Sequence, residues 1–166
     1  MNIVFILRSE VVCIAILLYL FFFSLRYSEN EQKGRFLQMC ICALGHVICD
    51  LNDLKITNDR YGHMEGDELI RLTAHLLSTY MRHAYRIYRI GGDEFVALYL
   101  DEKLPVVKEE IRTVRRECRN VKTASGVPLS IAIGMALSED GERISEIAKA
   151  ADERMYLDKS RIKGQI

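Results

Sequence analysis

Apolar and polar positions alternate in two runs on either side of a glycine pair. Upstream, Tyr85, Ile87 and Arg89 would face one side and Arg86, Tyr88 and Ile90 the other. Downstream, Phe95, Ala97 and Tyr99 alternate with Val96, Leu98 and Leu100. A period of two predicts strands. Gly91-Gly92 between them predicts a tight hairpin, because glycine accepts the positive φ that such turns demand. Val47 to Leu51 reads as a short buried strand ending in Asp50. Val127 to Leu137 reads as another, with Leu129, Ile131, Ile133 and Met135 set against Ser130, Ala132, Gly134 and Ala136. Three segments carry helical spacing instead. The first holds Leu69, Thr73, Leu76 and Tyr80 with Ile70, Leu77 and Met81 alongside; the second holds Val107, Ile111, Val114, Cys118 and Val121; the third holds Ile144, Ile147, Ala148, Ala151 and Met155. Gly62 and Gly66 punctuate a loop ahead of the first helix, and Asp67 is placed to cap or begin it. Hairpin-linked strands pair antiparallel. The pattern therefore predicts an α+β fold, a layered sheet with antiparallel hairpin strands flanked by helices, rather than a doubly wound sheet.

The N-terminal part has a different texture. Val11 to Leu25 is an almost unbroken apolar run, with Arg8 and Glu10 before it and Arg26 after. It falls short of the roughly 20 residues a spanning helix needs, and tilt with snorkelling of Arg8 and Tyr27 makes up the difference. A signal peptide is the competing reading, but no small-x-small cleavage site follows. A buried helix within the folded domain is a third. Arg26, Lys33 and Arg35 after the run agree with a cytoplasmic C-terminal side. The organisation read from this is a hydrophobic membrane-anchor helix over 1–30, a linker over 31–45 and one folded domain over 46–166. A single-pass protein of the cell membrane with its domain in the cytoplasm is the expected arrangement.

Composition narrows the partners. The chain has 166 residues and a formal net charge of +0, with no basic patch carrying interleaved aromatics, which argues against a nucleic-acid polymer. Its five cysteines, Cys13, Cys40, Cys42, Cys49 and Cys118, are odd in number and fit free thiols better than disulfides. Cys40-x-Cys42 lacks the matching second pair that a zinc site needs.

The candidate chemistry lies in two acidic clusters. At the hairpin tip, Asp93 and Glu94 follow Gly91-Gly92, so carboxylates stand beside backbone with little side-chain bulk. That suits a magnesium ion and a nucleotide phosphate; a solvated β-turn is the plainer reading. Upstream runs Asp50-Leu51-Asn52-Asp53-Leu54-Lys55, then Asn58-Asp59, then Gly66-Asp67. An acid at the end of a buried strand is costly unless it is paired or holds a cation. Singly, Asp50 reads as a turn residue, Asn58 as a loop residue and Asp67 as a helix cap; together with the hairpin they point to one site.

The run from Asp50 to His63, then Gly66-Asp67, then Arg89-Ile90-Gly91-Gly92-Asp93-Glu94-Phe95 closely resembles the GGDEF family, the diguanylate cyclases. Ala151-Asp152-Glu153-Arg154-Met155-Tyr156 and Lys159 resemble the family's closing segment, so the likeness runs from about Val47 to the C-terminus. It implies a nucleotide-cyclase-like fold over 46–166 and condensation of two GTP to cyclic di-GMP with release of two pyrophosphates, in a homodimer of facing domains. By the family pattern Asp50 and Asp93 would ligate magnesium (manganese being an alternative), Leu51 would add its backbone carbonyl, and Glu94 would support the metal. Asp93 would assist proton removal. Asn58 and Asp67 match guanine-reading positions, and an Asp left without guanine's donors would penalise ATP. Lys55, Lys159 and Lys163 are candidates for the triphosphate, and Gly91 and Gly92 would let phosphates lie against the hairpin. For Lys163 a solvated basic helix end is the competing reading.

Two departures accompany the likeness. Many members carry an Arg-x-x-Asp product-binding pair before the hairpin, where this chain reads Arg82-His83-Ala84-Tyr85, so strong product inhibition through that site is not expected. The family's opening helix and its Asp-x-Leu-Thr-x-Leu-x-Asn-Arg segment are also absent; Glu31 to His46 stands in their place. A GGDEF-like module that binds GTP without turnover, or a truncated fragment, is therefore the alternative reading.

Overall fold

A computed structural model of the chain describes residues 44–100, 102–138 and 144–164. The apolar run Val11 to Leu25 and most of the linker, and with them the expected N-terminal helix, lie outside the described residues. Among the described residues no helix is long and apolar enough to cross a membrane.

The elements follow in the order β1 (Leu44–Leu51), α1 (Leu54–Tyr61), α2 (His63–Tyr80), β2 (Arg86–Arg89), β3 (Glu94–Leu100), α3 (Leu104–Cys118), β4 (Ile131–Leu137) and α4 (Ile144–Ile162). The strands form one sheet in the order β2-β3-β1-β4, and every pairing is antiparallel. The antiparallel layered α+β expectation holds. β1 starts three residues before Val47, because Leu44, Gly45 and His46 continue the ladder opposite Leu100, Tyr99 and Leu98. Gly45 has to be small there: a Cβ would come within 2.9 Å of the Tyr99 Cβ.

The period of two in β1 divides the core. Val47, Cys49 and Leu51 share one face with Phe95, Ala97, Tyr99, Ile131 and Ile133, and pack against Leu69, Leu76 and Leu77 of α2 and Val107, Ile111 and Val114 of α3. Ile48 lies on the other face with Val96, Ala132 and Ala136, under Ile147, Ala151 and Met155 of α4. By register, His46, Asp50, Glu94 and Gly134 belong to this second face. Its β4 residues are all small, so the α4 backbone can approach the sheet closely.

Segment 54–64 departs from the expected loop. Leu54–Tyr61 is helical although its only buried residue is Thr57. α2 then begins at His63, with Gly62 at φ 88 as the break between the helices. Gly66 lies inside α2, not in a loop, and Asp67 lies in the helix rather than at its cap. What demands glycine at 66 is packing: a Cβ there would overlap the Asn58 Oδ1 across the α1–α2 contact.

His46 has no exposed surface, and burial holds its imidazole well below the ordinary range, from 6.5 to about 4. The unfolded chain therefore takes up a proton that the fold refuses. The stabilisation is full above pH 6.5 and is lost as pH falls towards 4, a loss of about 3 kcal/mol over that window. Urea unfolding at pH 7 and pH 5 should show the decline, and His46→Leu should flatten it. A slope unchanged in the variant would remove His46 as its source.

Candidate active site

The second sheet face ends in charge. Asp50, at the end of β1, stands directly opposite Glu94, the first residue of β3. Asp93 precedes it, and its carbonyl accepts the Leu51 N–H at 2.9 Å, locking the hairpin tip against the end of β1. Asp50 is buried (5 % exposed); its carboxyl is held above the ordinary range chiefly by that burial and further by Asp93, while Lys159 pulls it down. Burial likewise raises Glu94, with Asp93, Asp50 and Asp152 adding to it. Asp50 and Glu94 are thus both raised, by burial first and by neighbouring carboxylates second, and such perturbation marks functional clusters more often than ordinary surface.

The cation facing Asp50 is Lys159. Its ammonium donates to both carboxylate oxygens, at 2.7 and 2.8 Å. Lys159 reaches this point because α4 lies close on β4 and because Asp158 pins the helix to the sheet. Asp158 accepts the Ile133 N–H at 2.8 Å and pairs with Arg115 of α3 at 2.8 Å, while Arg115 also donates to the Ile133 carbonyl at 3.0 Å. One α4 residue thus takes a backbone N–H of β4 and fixes the position of its neighbour, Lys159. Lys163 lies a turn further on, 3.9 Å from Asp53. Asp53 itself holds a left-handed φ of 58 at the start of α1.

The turn between the strands is wider than expected. Residues 90–93 connect β2 to β3, and the Glu94 carbonyl accepts N–H groups from both Ile90 and Gly91, at 2.9 and 3.4 Å. Neither Gly91 nor Gly92 has positive φ. A Cβ at Gly91 would meet the movable Glu94 carboxylate at 2.9 Å, and at Gly92 there is nothing within 4 Å. Gly92 thus leaves open room against bare backbone.

The other sequence-singled residues sit on α1 and α2. Lys55 is exposed in the first turn of α1, and Leu51 is buried at the end of β1. Asn58 lies against Gly66 across the helix contact, and Asp67, the next residue along α2, is exposed. The Asn58 Oδ1 is buried and has no protein partner among the described residues. Sequence reasoning missed what holds this corner. Glu65, almost fully buried, accepts from the Thr123 hydroxyl and from the Ser125 hydroxyl, and Glu68 accepts the Ala124 N–H at 3.0 Å. The loop before β4 thereby clasps α2 on either side of Asp67. No local signal marks these pairs, which lie 56 to 60 residues apart in sequence.

A hard divalent cation suits this donor set. Magnesium keeps several waters and takes one or two carboxylates together with phosphate oxygens. Asp50 and its neighbours supply the carboxylates, at a point that already holds a positive group. Among the described residues no three His, Cys, Asp or Glu side chains form a ready-made cage. Where many relatives of the likeness carry an Arg-x-x-Asp pair, His83 instead bonds Glu110 through both its ring (2.8 Å) and its N–H (3.0 Å), and Tyr99 donates to the other Glu110 oxygen at 2.9 Å.

A family model described as "Diguanylate cyclase, GGDEF domain" matches residues 40–165. The chain is 33% identical over 111 residues to diguanylate cyclase DgcM of Escherichia coli K12, covering 66% of this chain and 27% of that protein. It is 31% identical over 125 residues to the probable diguanylate cyclase DgcI of the same organism, covering 74% and 27%. The chain therefore spans little more than a quarter of the length of these relatives. Among solved structures, the GGDEF domain of DgcB from Caulobacter crescentus in complex with c-di-GMP superimposes with a TM-score of 0.64 at 25% identity, covering 72% of this chain and 73% of that one.

Proposed function

We propose, since this chain belongs to the GGDEF family, that it is a magnesium-dependent diguanylate cyclase acting as a homodimer. Two GTP condense to cyclic di-GMP. Each 3′-oxygen forms a bond to the α-phosphorus of the other nucleotide, each α–β phosphate bridge breaks, and two pyrophosphates and two protons leave. The observation that carries this reading is the meeting of Asp50 and Glu94 as cross-strand partners beside the bare Gly91-Gly92 turn, with Lys159 paired to Asp50.

Each residue then has a task. Asp67 accepts from the guanine N1–H and N2–H₂, and Asn58, whose buried Oδ1 finds no protein partner among the described residues, turns to read the same base. Lys55, Lys159 and Lys163 offset triphosphate charge, and the glycine backbone lies along it. Asp93 takes the 3′-hydroxyl proton. Asp50, Asp93 and Glu94, with the Leu51 carbonyl, would hold the magnesium or manganese, which neutralises phosphate charge and acidifies the attacking hydroxyl. A domain holding one GTP is half of a reaction, so two must face each other, isologously. Anchoring by Val11 to Leu25, with the domain on the cytoplasmic side, rests on the hydrophobic and charge pattern alone.

The test is product analysis of the whole chain with GTP and magnesium. Cyclic di-GMP and pyrophosphate are expected. GTP binding without product would replace the cyclase with a binding module, and no binding at all would point to an inert fragment. Gly92→Ala sharpens the picture. With open space at its Cβ, it should leave the stability unchanged within about 0.5 kcal/mol, while raising KM for GTP several-fold. An unchanged KM would move the phosphates off this backbone.

A further inference from the structure

We propose that Arg89 is a positioning residue for the triphosphate: its guanidinium orders the Gly91-Gly92-Asp93 backbone so that two consecutive N–H groups face the phosphates. The proposal rests on the reading of this site as a GTP site.

The geometry is specific. The Arg89 Nε donates to the Gly91 carbonyl at 3.1 Å, and one terminal nitrogen donates to the Gly92 carbonyl at 2.7 Å. A guanidinium is a rigid planar fork, so two carbonyls held by it are fixed in direction as well as in place. No peptide bond here is cis. In a trans peptide the N–H points opposite to the C=O across a plane that cannot twist cheaply. Fixing the Gly91 carbonyl on Arg89 therefore directs the Gly92 N–H away from it, and fixing the Gly92 carbonyl does the same for the Asp93 N–H. The next carbonyl, that of Asp93, is fixed by Leu51. Three successive peptide planes at the tip are thus held from their carbonyl side.

The donors on the opposite side are free. Among the described residues neither the Gly92 nor the Asp93 N–H finds a protein acceptor, although Ile90 and Gly91 both do. Gly92 is exposed with open space where a Cβ would stand. Successive N–H groups turned to one side make an anion-binding concavity. A flexible Gly-Gly tip would sample this arrangement only part of the time, and a ligand that needs it would bind more weakly by that fraction. Arg89 removes that loss. Lysine in its place keeps the charge but not the fork.

Affinity of the full chain for 3′-deoxy-GTP, which lacks the attacking hydroxyl, and for guanosine, which lacks phosphates, separates this role from a general one. Arg89→Ala should weaken 3′-deoxy-GTP about tenfold and leave guanosine unchanged. Arg89→Lys should recover less than half of that loss, and millimolar guanidinium should restore part of it to Arg89→Ala. Equal weakening of both ligands, or of neither, overturns the proposal. If Arg89→Ala does not fold, the same comparison on Arg89→Lys decides. A wild-type chain that binds neither ligand overturns the GTP reading itself, an outcome distinct from wild-type binding that is indifferent to Arg89.

Discussion

Gly134→Ala is expected to lower the stability of the domain by about 3 kcal/mol or more, a fall of about 10 °C or more in melting temperature. The cause is backbone against backbone. A Cβ on Gly134 would overlap the Ala151 carbonyl oxygen and the Met155 nitrogen of α4, and would come within 2.7 Å of the Met155 Cβ. Side chains yield by changing rotamer, but these atoms belong to the helix itself. α4 has to lift from β4 or slide along it, and Met155 and Ala151 then leave the core under Ile48 and Val96. The same shift would carry Asp158 off the Ile133 N–H and Lys159 off Asp50, so nucleotide affinity should fall with stability. Thermal melts of wild type, Gly134→Ala and Gly92→Ala check this, because Gly92 has no such neighbour. A Gly134→Ala melt within a few degrees of wild type would mean that α4 is not seated as described.

That helix shows what could be read from sequence and what could not. The apolar spacing of Ile147, Ala151 and Met155 announced α4, and the alternation in β4 announced both faces of the strand, including the small Ala132, Gly134 and Ala136. The carboxylates Asp50, Asp93 and Glu94 were legible too, because each stands at or beside the end of a strand with a clear period. The turn was misread. Gly-Gly suggests a need for positive φ, and the backbone angles of Gly91 and Gly92 show no such need. α1 escaped because an eight-residue helix burying only Thr57 has no apolar stripe to announce it. Gly66 then looked like punctuation, although its glycine is set by the approach of Asn58. The ties that orient the site, Arg115 to Asp158 and Thr123 to Glu65, join residues 43 and 58 apart. Polar pairs at that separation leave no periodic trace.

Asp93→Asn is expected to abolish cyclic di-GMP formation, by about a thousandfold or more, without lowering the melting temperature. Glu94→Gln should also lose most turnover and should melt higher than wild type. Both expectations follow from one feature: the site concentrates negative charge that the fold would rather not hold. Glu94 is raised first by burial and then by Asp93, Asp50 and Asp152, with only Lys159 opposing. A carboxyl whose folded value lies above its ordinary 4.5 costs the fold stability at neutral pH. That cost lessens as pH falls through the folded value and is gone below 4.5, where both states are protonated. Glutamine removes it at every pH. Because Glu94 is only half-buried and water screens part of the repulsion, the gain should be about 0.5 kcal/mol. The wild-type and Glu94→Gln melts should therefore separate at pH 8 and converge below pH 4.5. A site tuned for function carries such strain and gives it up when the function is removed. Magnesium with GTP should supply the missing countercharge, stabilising wild type far more than Asp93→Asn. If Glu94→Gln melts lower than wild type at pH 8, the carboxylate is a structural ligand of its own fold, and the charge-strain account of this site falls.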